Sequence, residues 1–228
     1  MFGINIKAEV ERVILESFVQ QPFHTLYFKH GIIPHTDRYG GTCSDKVLSS
    51  YQKLRLMGVQ VRLHSSLING KETHRVLKIQ LGESIYFADV GNGWPSIRLF
   101  PASYDYTYSC FGITFESMVF DEKIEIYHDG NVSRKLAVTI PLESKCEKEI
   151  LCDISKRFNP DIDYPFREKV RFAQVVKDKF YFLRSDQLYF YQKNGRYVED
   201  INMIPLEQVL GRYFDFNITY FLQECRRQ

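Results

Sequence analysis

The hydrophobic period of this chain changes at Gly58, and that change limits the folds open to it. Before the glycine, Ile6, Val10, Val13, Ile14 and Phe18 recur on one face of a helix for which Asn5 is the natural N-cap. Pro22 ends that helix, residues 22–26 read as the turn after it, and residues 31–41 read as a loop. A second helix is predicted over 43–57, with Val47, Leu48, Tyr51 and Leu54 at helical spacing and Gly58 as its stop. From Val59 the period is two. Val59, Val61 and Leu63 alternate with polar residues, Asn69-Gly70 is a hairpin signal, and strands follow over 76–81 and 85–90 around a turn at Gly82. Further strands are expected around 117–127 and 133–140. Asn159-Pro160 makes a break, 165–175 reads as a short helix, and 179–191 as two strands across Ser185-Asp186. A helix near 205–210 and an apolar end over 214–222 close the chain. Helices, then antiparallel strands, then a mixed end predict an α+β protein built around one sheet or barrel.

The 228 residues give room for a sizeable core. The 30 basic and 28 acidic side chains leave a net charge of +2, which gives no reason to expect nucleic acid as a partner. No apolar run approaches the roughly 20 residues of a membrane helix. Residues 1–7 show no basic stretch leading into an apolar one, so the expected location is the cytoplasm. Asn131-Val132-Ser133 has the form of a glycosylation sequon, read without an export signal as coincidence. The five cysteines, Cys43, Cys110, Cys146, Cys152 and Cys225, form an odd, scattered set with no Cys-x-x-Cys, which argues against a disulfide framework. His24, His30, His35, His64 and His128 lack metal-ligand spacing, and Asp161 with Asp163 reads as a solvated loop, so no metal is expected.

Only Cys43 has a neighbourhood that suggests reactivity. The run Gly40-Gly41-Thr42-Cys43 leads a glycine pair into a helix start. A thiolate gains from the positive end of a helix, and glycines let the backbone approach a substrate carbonyl. The N–H of Cys43 is then a candidate oxyanion donor. Alone, this is a glycine turn leading into a helix. Downstream lie His74 and Asp89, whose numbers sum to 163. A turn between Leu81 and Gly82 would set them opposite each other, with Cβ atoms about 5 Å apart. The carboxylate would hold the Nδ1–H of the imidazole and leave the other ring nitrogen facing the thiol. Cys43 as nucleophile, His74 as base and Asp89 as its orienting partner are the parts of an acyl-transfer triad.

Pro22-Phe23-x-x-Leu26, Gly40-Gly41-x-Cys43, His74-Arg75-Val76-Leu77 and Asp89-Val90-Gly91-x-Gly93 stand in the order seen in the arylamine N-acetyltransferases, and the chain resembles that family. A weaker likeness continues through 159–166 and Phe214-Asp215-Phe216. The resemblance implies a papain-like acyltransferase architecture. A helical region over 1–58 carries the cysteine, an antiparallel β-barrel over 59–145 carries His74 and Asp89, and an α/β lid covers 146–228. It also implies acetyl-CoA as co-substrate, no metal, and an arylamine, hydrazine or related small amine as acceptor. These exchange in ping-pong fashion through a Cys43 thioester, with Phe23, Gly41, Gly91, Asn92 and Trp94 at the substrate.

The chain departs from the family pattern at several positions. Tyr39 separates Arg38 from the glycine pair, and Asp45, Val47 and Thr25 replace the usual Glu, Asn and Asn. Asn92 stands where a phenylalanine is usual. Trp94 either restores aromatic surface in the acceptor pocket or packs at the barrel rim, and Phe23 either faces the cleft or packs in the core. Two other readings use the same residues. One is a cysteine hydrolase or amide-forming enzyme, in which water or a tethered amine takes the acyl group. The other is a scaffold that keeps the triad and binds a ligand or partner without catalysis.

Overall fold

Asn5 accepts the backbone N–H of Ala8 at 3.3 Å and opens helix α1, Ile6–Gln20, in the computed structural model, which describes residues 5–130, 133–159, 161 and 170–227. Val10, Val13, Ile14 and Phe18 of α1 are buried, as their spacing predicts. The expected turn after it is replaced by structure: Phe23–His24 is a two-residue strand, β1, and Leu26–His30 a short helix, α2. Helix α3, Cys43–Leu56, follows the loop and buries Val47 and Leu54.

Strands β2, Gln60–Ile68, and β3, Lys71–Leu81, join through Asn69 at φ +52° and Gly70 at φ +74°, the left-handed pair of a tight hairpin. Strand β4, Ser84–Ala88, follows. Then come β5, Phe100–Pro101, β6, Tyr106–Cys110, β7, Ile113–Val119, β8, Lys123–His128, and β9, Lys135–Pro141. The strand expected around 117–127 is thus two, and β5 and β6 carry no clear sequence signal. These eight strands form one antiparallel sheet in the order β5-β4-β3-β2-β9-β8-β7-β6. Its two outermost strands are neighbours in sequence, and the 102–105 link between them reaches at most about 18 Å. Eight flat strands would set those edges roughly 34 Å apart. The sheet therefore curls into a barrel.

Helix α4, Glu147–Lys156, buries Ile150 and Ile154, an i, i+4 pair too sparse to identify a helix from sequence. Strands β10, Arg171–Val176, β11, Lys179–Arg184, β12, Gln187–Gln192, and β13, Gly195–Asp200, form a second antiparallel sheet, ordered β1-β10-β11-β12-β13. The helix predicted over 165–175 is a strand from Arg171 on; residues 165–169 lie outside the described residues, as do Asn131, Val132, Pro160 and Asp163. The reason is two-sided burial. Ala173, Val175, Phe180, Phe182 and Tyr191 join the core shared with α1, α3 and the barrel. Phe172, Leu183 and Leu188 face a second core with α2, helix α5, Leu206–Phe214, and helix α6, Ile218–Arg226. Alternation along β10 feeds both, and each fully buried phenylalanine contributes roughly 1.5–3 kcal/mol. Among the described residues no helix is long and apolar enough to cross a membrane.

Candidate active site

Cys43 is the first residue of α3, and the helix start is held from two sides. Asp45 Oδ2 accepts the Thr42 N–H at 2.9 Å and the Thr42 hydroxyl at 3.0 Å. Its Oδ1 pairs with the guanidinium of Arg157, the residue that ends α4. Burial pushes the Asp45 carboxyl up, while Arg157 and Thr42 pull it back. The sulfur thus stands at the positive end of a fixed helix.

The glycine pair packs against protein rather than against a substrate. Gly40, at φ +73°, has a Cβ position 2.1 Å from the Pro22 carbonyl oxygen, and that of Gly41, at φ +139°, is 2.5 Å from Asp45 Oδ2. The Gly41 N–H donates to Pro22 O at 3.0 Å, and its carbonyl accepts the His24 N–H at 2.9 Å. Its backbone is therefore spent on joining β1 to the start of α3, and Gly41 does not line the cleft.

His74 sits on β3 opposite Ser66 of β2, next to a bulge between Ser66 and Ile68. Such bulges re-aim neighbouring side chains. Asp89 follows the last residue of β4, and its Oδ1 accepts from His74 Nε2 at 2.8 Å and from the Gly91 N–H at 3.2 Å. Two expectations are corrected here. The β3–β4 pairs run from Leu77↔Ala88 to Leu81↔Ser84, so the turn is Gly82-Glu83 and paired numbers sum to 165. His74 and Asp89 are therefore not directly opposed; they meet on the diagonal, beyond the end of β4. The second concerns the ring. Nε2 is taken by Asp89, so the hydrogen bond between the imidazole and Cys43 uses Nδ1.

The pair is sealed from water, with side-chain exposures of 1% for His74 and 0% for Asp89. Burial opposes charge on the imidazole, but the Asp89 charge and hydrogen bond, reinforced by Cys43, push its pKa up to about 10. The arrangement can hold a proton on His74 beside a sulfur nucleophile.

A cleft of about 470 Å³ opens over Cys43, His74 and Gly91. Phe23, Asn92 and Trp94 line it. Trp94 also packs in the core, its ring 4.3 Å from His128 and edge-on to Phe182 at 5.1 Å. The cleft further gathers Lys71, His128, Lys135, Arg171, Phe182 and Arg184, which the sequence does not single out. They lie on five strands scattered along the chain, and only the pairing of those strands brings them together. A larger, more open groove of about 690 Å³, lined by Arg55, Arg62, Lys78 and Glu147, holds none of Cys43, His74 and Asp89. Among the described residues no group of three His, Cys, Asp or Glu is placed to hold a metal ion.

No family model matches the chain, and no curated protein matches it. Solved structures do. The arylamine N-acetyltransferase of Mycobacterium marinum superposes with a TM-score of 0.80 at 13% identity, over 94% of this chain and 88% of that one. The same enzyme in complex with CoA gives 0.79 at 13%, with the same coverage. The arylamine N-acetyltransferase of Salmonella typhimurium gives 0.76 at 14%, over 100% of this chain and 94% of that one. The chain therefore has the fold of these acyltransferases, as its motifs suggest.

Proposed function

We propose that this protein moves an acetyl group from acetyl-CoA to a small aromatic amine or hydrazine through a thioester on Cys43. The observation that carries this reading is the buried His74–Asp89 pair, with Nδ1 of the imidazole turned to the Cys43 thiol. The shared fold, and the solution of one of its members with CoA, support the choice of donor.

The chemistry follows from proton positions. With the thiol proton on His74, the sulfur attacks the acetyl carbonyl as a thiolate. The C–S bond to CoA breaks, and the imidazolium gives its proton to the departing CoA sulfur. An amine then enters the same cleft and attacks the Cys43 thioester. His74, now neutral, takes the proton of the amine, and the C–S bond to Cys43 breaks as the amide forms. Both acyl links in the first step are thioesters of similar energy, which is why a thiol suits a CoA donor. On this reading residues 1–58 supply the nucleophile, 59–145 the base and its partner, and 146–228 close the cleft with Phe182. Strand β1 stitches the first of these regions to the third.

The test is intact-protein mass spectrometry after brief exposure to acetyl-CoA. One acetyl adduct on Cys43 is expected, absent in Cys43→Ala, strongly slowed in His74→Ala, and discharged by an arylamine. No adduct on protein whose Cys43 still alkylates would retire acetyl-CoA as the donor.

A further inference from the structure

The two edges of the second sheet are finished differently. At β1, Phe23 bridges Gly41, the Gly41 N–H donates to Pro22 O and the His24 N–H to Gly41 O, so that edge is joined to the loop before α3. At the other edge stands β13, whose register with β12 runs from Gln187↔Asp200 to Gln192↔Gly195 without a shift. The hydrogen bond from the Ile201 N–H to Asp186 O, at 2.9 Å, fixes the phase of that ladder. Counting back in twos, Glu199 and Tyr197 turn their N–H and C=O groups to β12, while Arg196, Val198 and Asp200 turn theirs away from the sheet. Those outward groups meet no strand among the described residues. Tyr197 and Val198 are 43% and 50% exposed. The strand carries no proline, lysine or bulge, the usual devices that blunt such an edge.

The charges on β13 complement the strand itself, read backwards. Arg196 and Asp200 share one face but lie four residues, about 13 Å, apart, too far to meet within one chain. Arg196 lies over the rings of Tyr189 and Tyr191 at 5.0 and 5.8 Å, and its Nη1 is buried and bonds to none of the described residues. The Asp200 Oδ1 accepts the Asn202 N–H at 3.0 Å. A second copy laid antiparallel on β13, with Val198 facing Val198, sets each Arg196 against Asp200 of the other copy. In that register the outward groups of both strands meet, and each of these facing pairs exchanges both of its N–H···O bonds. Tyr197 then faces Glu199 of the second copy. A register centred on Glu199 would oppose two carboxylates, and one centred on Arg196 two guanidinium groups, which is destabilising. One centred on Tyr197 would leave both acids unpaired.

We infer that β13 is a dimer seam, on which a second copy of this chain adds its own β13 antiparallel about Val198 and joins the two five-stranded sheets into one. The contact is isologous, the same patch serving on both copies. It does not depend on the acetyl-transfer reading. A seam of one short strand is small, so the dimer is expected to dissociate on dilution.

Sedimentation equilibrium over a concentration series tests the seam. Wild type is expected to fall from twice the chain mass towards the chain mass on dilution. Arg196→Glu and Asp200→Lys each set like charges opposite one another and should lower the association constant about tenfold or more. Mixed together, the two variants regain both oppositely charged pairs, and a mixed dimer should form with about wild-type affinity. Val198→Pro serves if a charge variant does not fold. The Val198 N–H faces outward, so proline spares the β12 ladder and removes the central bonds of the seam, and this variant should be monomeric. A wild type that is monomeric throughout the series overturns the inference and leaves the edge to a strand from another protein. So does wild-type association in Val198→Pro or in the charge variants, and so do folded charge variants that form no mixed dimer.

Discussion

Gly91 rests on Cys43: a Cβ placed on it would stand 2.5 Å from the Cys43 Cα and 2.7 Å from its Cβ. The turn that brings Gly91 there is closed by Asp89, whose Oδ1 accepts the Gly91 N–H and the His74 ring nitrogen together. One short segment thus orients the imidazole and presses against Cys43.

Gly91→Ala should consequently damage reactivity more than stability. The contact is with backbone, so either the start of α3 or the turn must move. Overpacking of this kind costs about 1–3 kcal/mol. A displacement near 1 Å at reacting groups costs up to about a hundredfold in rate. Iodoacetamide alkylation of Cys43 and urea denaturation read the two effects. A variant that alkylates at the wild-type rate would show that Gly91 does not set the position of the thiol.

The His74–Asp89 pair predicts a pH dependence of stability with a definite sign. The ring carries a pKa of about 10 in the folded protein against the ordinary 6.5. Between those values the native state keeps a proton that the unfolded chain has released, so stability from this group is full below about 6.5 and is lost as pH rises through about 10. The stability difference between wild type and His74→Phe, from urea denaturation at several pH values, should shrink across that window. A difference that stays constant with pH would mean the folded imidazole is not charged.

How far the sequence shows all this depends on the reach of each contact. The helix α1, the Asn69-Gly70 hairpin and the Ser185-Asp186 turn are local patterns and are legible. So is the candidate set Cys43, His74 and Asp89, since each carries a local motif. Its geometry is not, because moving the turn by one residue, from Leu81-Gly82 to Gly82-Glu83, changes every facing pair. Strand β1 is illegible for another reason. Two residues form a strand only because β10 pairs with them from the far end of the chain. The same non-locality hides His128, Arg171 and Arg184, single side chains that acquire a shared surface only when the two sheets close around Trp94.

Lys46 gives a second pH dependence, opposite in sign to the first. Its ammonium is buried and donates to Ser17 O at 2.6 Å, Ser17 Oγ at 3.1 Å and Gln21 O at 2.5 Å, capping the end of α1. Burial, with a smaller contribution from Lys53, lowers its pKa from 10.5 to about 7. Between those values the unfolded state binds the proton that the native state lacks, so stability from this group rises with pH from about 7 to 10.5. The stability of wild type relative to Lys46→Met should grow over that range. A flat difference would mean that Lys46 keeps its charge through the three oxygens that hold it.

Arg157 reaches from the end of α4 to Asp45 at the start of α3, and its removal should act on the reactivity of Cys43 as well as on folding. The pair with Asp45 is almost fully buried, with side-chain exposures of 9% and 8%. Breaking it leaves a carboxylate without its counter-charge, at a cost of about 3–5 kcal/mol. Asp45 also holds the Thr42 N–H and hydroxyl, so a carboxylate that turns or protonates releases the cap just before Cys43. Arg157→Met is expected to lower the denaturation midpoint and slow Cys43 alkylation under native conditions. Adding Asp45→Asn should restore part of the stability, because the unpaired charge is gone, while the alkylation rate stays low. That non-additivity is the signature of a coupled pair. If Arg157→Met loses stability and Cys43 alkylates at the wild-type rate with an unchanged pH profile, α4 braces the fold without positioning the nucleophile.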